Sequence, residues 1–248
     1  MKNNRKSFAP GTLTAPVPPA IVTVGDYDNA NMLTIAWTGI LASIPPKTYI
    51  SVRPSRHSHG MLKERGEFVI NLPSVSIARE VDFVGIYTGA KMDKFEKTGL
   101  TKKRSEQVAP PTVAECPIAL ECRVTEVVPM GSHDVFVADI VSVSCDESII
   151  DADGKLRFDL ADLLAYAHGE YYSLGSIVGR FGFSTDKPKK QNKTNKNSEK
   201  EGINREKNDK HTPEKRPFYE SAPRSKRTKK SSADKNKGAP HGKRGAKK

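Results

Sequence analysis

The chain has 248 residues, enough to bury the core of one large domain or two small ones, and its formal net charge of +12 is unevenly placed. Residues 185–248 hold 22 Lys and Arg against 8 Asp and Glu, leaving 19 against 21 in the rest of the chain; this tail is so poor in Ile, Leu, Val and Phe that burial cannot offset its ordering entropy, and a disordered lysine-rich segment is expected. No stretch approaches the ~20 apolar residues of a membrane span and no apolar segment follows the charged start at residues 1–6, so neither an anchor nor an export signal is expected and a cytoplasmic location is.

A proline-rich arm at residues 1–19 leads to a first strand candidate, Ala20–Val24, after which Asp26, Tyr27, Asp28 and Asn29 turn the chain. Residues 31–74 then compress three strands and a helix into one stretch, with polar residues where a plain core would not place them, which is how a binding cleft reads in sequence. Residues 33–38 (LTIAWT) and 49–53 (YISVR) are rich in β-branched and aromatic side chains and predict strands. Gly39 and the Pro45-Pro46 pair punctuate the span between them, which predicts an irregular loop. Residues 54–60 place two serines, Arg56 and two imidazoles before MLKERG, a helical run for which Ser55 or Ser58 is a candidate cap. Backbone donors at a helix N-terminus, together with Arg and Ser, make an anion site that suits a phosphate. The apolar run 68–72 is the third strand, and Asn71 within it needs a partner, since burial unpaired costs about 1–3 kcal/mol. Backbone and ligand are equally open as that partner.

Residues 74–84 read as a helix that loosens over 85–91, and 92–97 as one or two helical turns closed by Gly99. A proline-broken connector at 106–112 precedes Ile118, Leu120, Cys122 and Val124, which alternate with Ala119, Glu121, Arg123 and Thr125 in the period of a strand with one buried face. A second long strand, 135–145, follows the turn at 129–132, so the two predict an antiparallel barrel hairpin. Asp151, Ala152, Asp153 and Gly154 resemble the start of a calcium loop, but position 162 is Asp where the closing Glu belongs; a hairpin turn is expected there, and no metal. Tyr166, Tyr171 and Tyr172 precede glycines at 175, 179 and 182 that do not fit a dinucleotide fingerprint. Cys116, Cys122 and Cys145 are odd in number and form no C-x-x-C, which favours buried thiols over a disulfide framework or zinc.

Several of these segments in this order, N-x-x-T-I-A-W-T-G from Asn31, the P-P pair, I-S-V-R-P-x-R-x-S from Ile50 and E-F-V-I-N-L-P from Glu67, resemble the flavin reductase-like family and its flavoredoxin-like branch. The resemblance continues through VDFVGIYTGAKMDKFEKTGL, ECPIALECRV, GSHDVFVADIVSV and YYSLGSIVGRFGFS. It implies a mainly β fold with a few helices: an FMN-binding split β-barrel over residues 20–184, between the arm at 1–19 and the tail at 185–248. It further implies FMN as cofactor, with Asn31, Thr34, Ala36, Trp37 and Thr38 lining the ring and Ser51, Arg53, Arg56 and Ser58 holding ribityl and phosphate. Asn71 and Lys94 would finish the cradle, and His133 would lie near the flavin or a second subunit. His57 stands where the family commonly has tyrosine. Because the flavin carries the hydride and electron chemistry, no side chain is assigned as catalytic. The expected function is electron transfer or NAD(P)H-dependent flavin reduction by a homodimer, with a nicotinamide donor or a small redox protein as partner. The alternative is a flavin-binding protein without turnover whose basic tail makes salt-sensitive contacts to nucleic acid.

Overall fold

The computed structural model describes residues 4–185, so the expected disordered tail lies, apart from Thr185, outside the described residues. Strand β1 (Ala20–Val24) is buried along its whole length and so is covered on both faces; its one polar residue, Thr23, donates its hydroxyl to the Pro111 carbonyl (2.5 Å). It pairs antiparallel with β2 (Asn31–Ile35) on one side. On the other it pairs with β5 (Glu67–Leu72).

The span between the first two strand candidates departs from expectation. The strand expected at 33–38 is split at Ala36 and Trp37, and the predicted irregular loop is instead a hairpin of β3 (Thr38–Ser43) and β4 (Pro46–Val52). Two breakers fit inside it for local reasons. Gly39 lies against the Tyr49 ring across the hairpin, where an added Cβ would make a tight 3.3 Å contact with that ring. Pro46 opens β4, a position where a missing N–H is tolerated.

Helix α1 (His57–Arg65) starts from Arg56, whose side chain makes no capping bond, so neither Ser55 nor Ser58 is the cap. It ends at Gly66, which takes the left-handed conformation (φ 66°) and returns its N–H to the Leu62 carbonyl. A single 3-10 turn (Val75–Ile77) leads into α2 (Ala78–Ile86), and α3 (Lys94–Thr98) is capped by the Asp93 carboxylate, which accepts the Phe95 and Glu96 N–H groups. The short β6 (Lys102–Lys103) and β7 (Thr112–Val113) pair with each other. The expected long hairpin is present as β8 (Ile118–Pro129) and β9 (Asp134–Cys145), and β10 (Leu164–Ala167) with β11 (Glu170–Ser173) forms a further, short one.

Seven strands form one antiparallel sheet in the order β2-β1-β5-β8-β9-β4-β3. Its inner face packs Val22, Leu33, Ile50, Phe68 and Phe136 into one core, while Ile21, Met32, Val81, Val84 and Phe95 join the sheet's other face to α2 and α3. β8 was expected to bury one face only, yet Glu121 on the opposite face is also buried. The connector before β7 covers it and donates the Glu106 and Gln107 backbone N–H groups to its carboxylate (2.9 and 2.6 Å). That satisfies a charge which would otherwise be costly to bury. No helix among the described residues is long and apolar enough to cross a membrane.

Candidate functional site

The break at Ala36 and Trp37 opens the floor of a cleft of about 500 Å³. Leu33 to Trp37 form one side of it, with Ser51 and Val52 of β4 beside them. The Ser51 N–H donates to the Trp37 carbonyl (2.9 Å), which holds the broken segment against β4. Asp82, Gly85 and Ile86 of α2 form the facing wall, and α2 itself is tied to β2 by the Thr34 hydroxyl, which donates to the Val81 carbonyl.

Leu33, Arg53 and Arg56 are shared with a second, smaller compartment of about 210 Å³. This one lies at the N-terminus of α1 and is lined by Asn31, Ser58, Gly89 and Lys94 among others. No acidic residue sits in the first turn of α1 and no side chain caps it, so backbone N–H groups and the positive end of the helix dipole remain to meet an anion. The buried Asn31 Nδ2 donates to Ser58 Oγ (2.7 Å), which leaves the serine's own hydroxyl proton for another acceptor. Gly89 is required beside it, because a Cβ there would lie 2.1 Å from Asn31 Oδ1.

Lys94 is buried below this compartment, where its Nζ donates to the Met32 and Val84 carbonyls (2.8 and 2.7 Å). Burial, and then the charge of Arg56, pull its pKa down to about 8. Helix α1 is fixed to the start of β9 by His59, whose Nε2 meets Asp134 Oδ2 at 2.8 Å and whose ring stands edge-on to Phe136.

Ten of the twelve expected site residues therefore converge. Thr34, Ala36, Trp37, Ser51, Arg53, Arg56 and His133 line the larger compartment. Asn31, Ser58 and Lys94 line the smaller one, which also includes His57. His133 sits in the β8–β9 turn, with its pKa lowered by burial and by Arg53.

Two of the expected residues, Thr38 and Asn71, line neither compartment. Thr38 turns away from the cleft and donates its hydroxyl to the Tyr49 carbonyl (2.6 Å). Asn71 is fully buried and spent on the backbone: its Nδ2 donates to the Ile21 carbonyl (3.0 Å) and its Oδ1 accepts the Val113 N–H (2.9 Å). Its partner is therefore the fold. The pairing registers of β3 and β5 decide both cases, because they set which face each side chain joins.

Sequence reasoning missed the far wall. Tyr166 and Tyr171 are register partners across the β10–β11 hairpin, with rings 5.4 Å apart, and both line the larger compartment. The Tyr171 hydroxyl donates to Asp82 Oδ1 (3.2 Å), and burial together with that carboxylate raises its pKa to about 12. The arm before β1 crosses the same region: Val17 and Tyr166 exchange backbone hydrogen bonds (3.0 and 2.9 Å), and Thr12 and Pro19 line the cleft. The tyrosine cluster was visible in the sequence, but nothing local tied it to residues about 130 positions earlier.

A cationic, uncapped helix start thus adjoins a cleft beside a broken strand. The chain is a member of the flavin reductase-like family, whose domain model matches residues 13–175, and its fold is the flavoredoxin-like split barrel. Among solved structures it is similar to the flavoredoxin of Desulfovibrio vulgaris (Miyazaki F), at 32% identity and a TM-score of 0.69 over 73% of this chain and 100% of that one. It is also similar to an FMN-binding protein from Thermus thermophilus solved with bound 1-cyclohex-2-enone, at 26% identity and a TM-score of 0.59 over 70% and 96% of the two chains. A protein of Archaeoglobus fulgidus is 31% identical over 153 residues, which is 62% of this chain and 85% of that relative. Together these support a flavin-related redox role.

Proposed function

We propose that the cleft binds FMN and that the chain is an electron-transferring flavoprotein, reduced by a nicotinamide donor or by a small redox protein. The observation that carries this reading is the join of the two compartments at Arg53 and Arg56. A phosphate at the α1 N-terminus would meet two guanidinium groups, backbone donors and the Ser58 hydroxyl, while the slot along residues 33–37 takes a planar ring of the same molecule. Bound there, the flavin would supply the hydride and electron chemistry. The chain's own residues bind and orient: Asn31 sets the direction of the Ser58 hydroxyl, Gly89 leaves room for Asn31, and the β10–β11 hairpin and the arm screen the far side from water.

A two-fold homodimer belongs to the same reading. β3 is a terminal strand of the sheet and carries exposed Ile40 and Leu41, with exposed Ile44 in the turn after it and the partly exposed Trp37 before it, an apolar edge that a second copy would cover. Light scattering is expected to give a dimer. The test of cofactor and reaction together is the absorbance spectrum of the purified full-length protein with added FMN, followed under anaerobic NADH and then NADPH. Bound FMN that bleaches with either donor supports the reading, and a colourless protein that fails to bind FMN at micromolar concentration refutes it.

A further inference from the structure

The cleft is electrically polar along its length. Arg53 and Arg56 stand where the two compartments meet and Lys94 lies beneath the smaller one, whereas Asp82 is the one carboxylate among the described residues lining either compartment. It lies on the α2 wall, beside the aromatic surface of Tyr166 and Tyr171.

That surface is held in place. The hairpin register sets the two rings against each other, and the backbone pair between Val17 and Tyr166 ties the hairpin to the arm. The Tyr171 hydroxyl keeps its proton, as its raised pKa requires, and donates it to one carboxylate oxygen. The second oxygen of Asp82 remains an acceptor. A planar ring placed on the tyrosine surface therefore meets the Asp82 carboxylate as an acceptor, with the Tyr171 hydroxyl already engaged on it.

We infer that Asp82 is the specificity-determining residue for the second ligand of this cleft: it admits a neutral planar ring bearing a hydrogen-bond donor, such as an aromatic carboxamide, and rejects the same ring bearing a carboxylate. The inference rests on the proposed occupation of the rest of the cleft by FMN. The carboxamide ring of a nicotinamide donor falls within the admitted class. An aromatic acid is disfavoured twice, since it brings like charge to Asp82 and lacks the N–H that the carboxylate accepts.

The experiment uses the full-length FMN-loaded protein and two probes of one shape, benzamide and benzoate, titrated while the visible spectrum of the bound flavin is followed. Benzamide is expected to bind about five- to tenfold more tightly than benzoate, the scale of one partly screened like-charge contact. In Asp82→Asn the preference is expected to shrink to about twofold, chiefly because benzoate binding improves. Tyr171→Phe keeps the charge and removes only the hydroxyl, so its benzoate rejection is expected to persist, which guards against a general disturbance of the wall. Equal binding of the two probes by the wild-type protein, or an unchanged ratio in Asp82→Asn, overturns the inference while leaving the cofactor reading intact. Failure to load FMN overturns both, and the first step of the same titration shows it.

Discussion

FMN binding at pH 8 is expected to take up a proton at Lys94, whereas riboflavin binding is not. Lys94 is 4% exposed, its two acceptors are neutral carbonyls, and no carboxylate among the described residues lines its compartment. The groups around it there are Arg53, Arg56 and His57, so nothing nearby offsets an ammonium, and its pKa falls to about 8. The free protein at pH 8 thus holds about half of its Lys94 amines neutral. A phosphate with a second pKa near about 6 arrives as a dianion, favours the charged amine, and raises that pKa. Uptake should approach about half a proton per FMN at pH 8 and decline below pH 7, where the amine is already charged. Because the ligand prefers the protonated form, affinity falls as pH rises above 8, by up to about 1.4 kcal/mol per pH unit. Calorimetry in two phosphate-free buffers of different ionisation heat reads the uptake directly. Lys94→Met removes the titrating group and serves as control for the nearby histidines. Equal uptake for FMN and riboflavin, or uptake that survives in Lys94→Met, would refute the reasoning.

The remaining predictions separate binding from folding. Arg56→Ala combined with Ser58→Ala should weaken FMN by about tenfold or more, the loss of at least one charge-assisted hydrogen bond, and leave riboflavin within about threefold; equal loss for both ligands would mean that the loop had merely unfolded. Asn71→Leu leaves the Val113 N–H without its acceptor in a fully buried site, so it should cost about 1–3 kcal/mol and several degrees of Tm, with FMN affinity of the folded protein little changed. Loss of FMN at unchanged Tm would return Asn71 to the binding site. Removal of residues 185–248 should leave FMN binding intact and Tm within about 5 °C, while abolishing any RNA binding, which in the full chain should fall steeply with added salt. A truncated protein that loses FMN, or melts outside that range, would place the domain boundary elsewhere.

What the sequence determined by itself was what short-range physics decides. The strand at Ala20–Val24, the long hairpin of β8 and β9, the Gly99 cap of α3, and the cations beside a helix start all follow from local pattern, and all appear where expected. Ten of the expected residues line the two compartments, and they were legible because they cluster in or near that one dense stretch or in matching family segments. Pairing between distant segments decided the rest. Gly39 and Pro46 look like breakers in isolation, yet each is accommodated once β3 meets β4 and the Tyr49 ring covers the glycine. Asn71 and Thr38 carry side chains equally fit for a ligand or a carbonyl, and a one-residue change of register would exchange their faces. The wall of Asp82, Tyr166 and Tyr171 exists only where a helix, a hairpin and the arm meet. Those contacts span some 90 to 150 residues, and local pattern carries no term for such closure, so the polarity of the cleft emerged only in the tertiary structure.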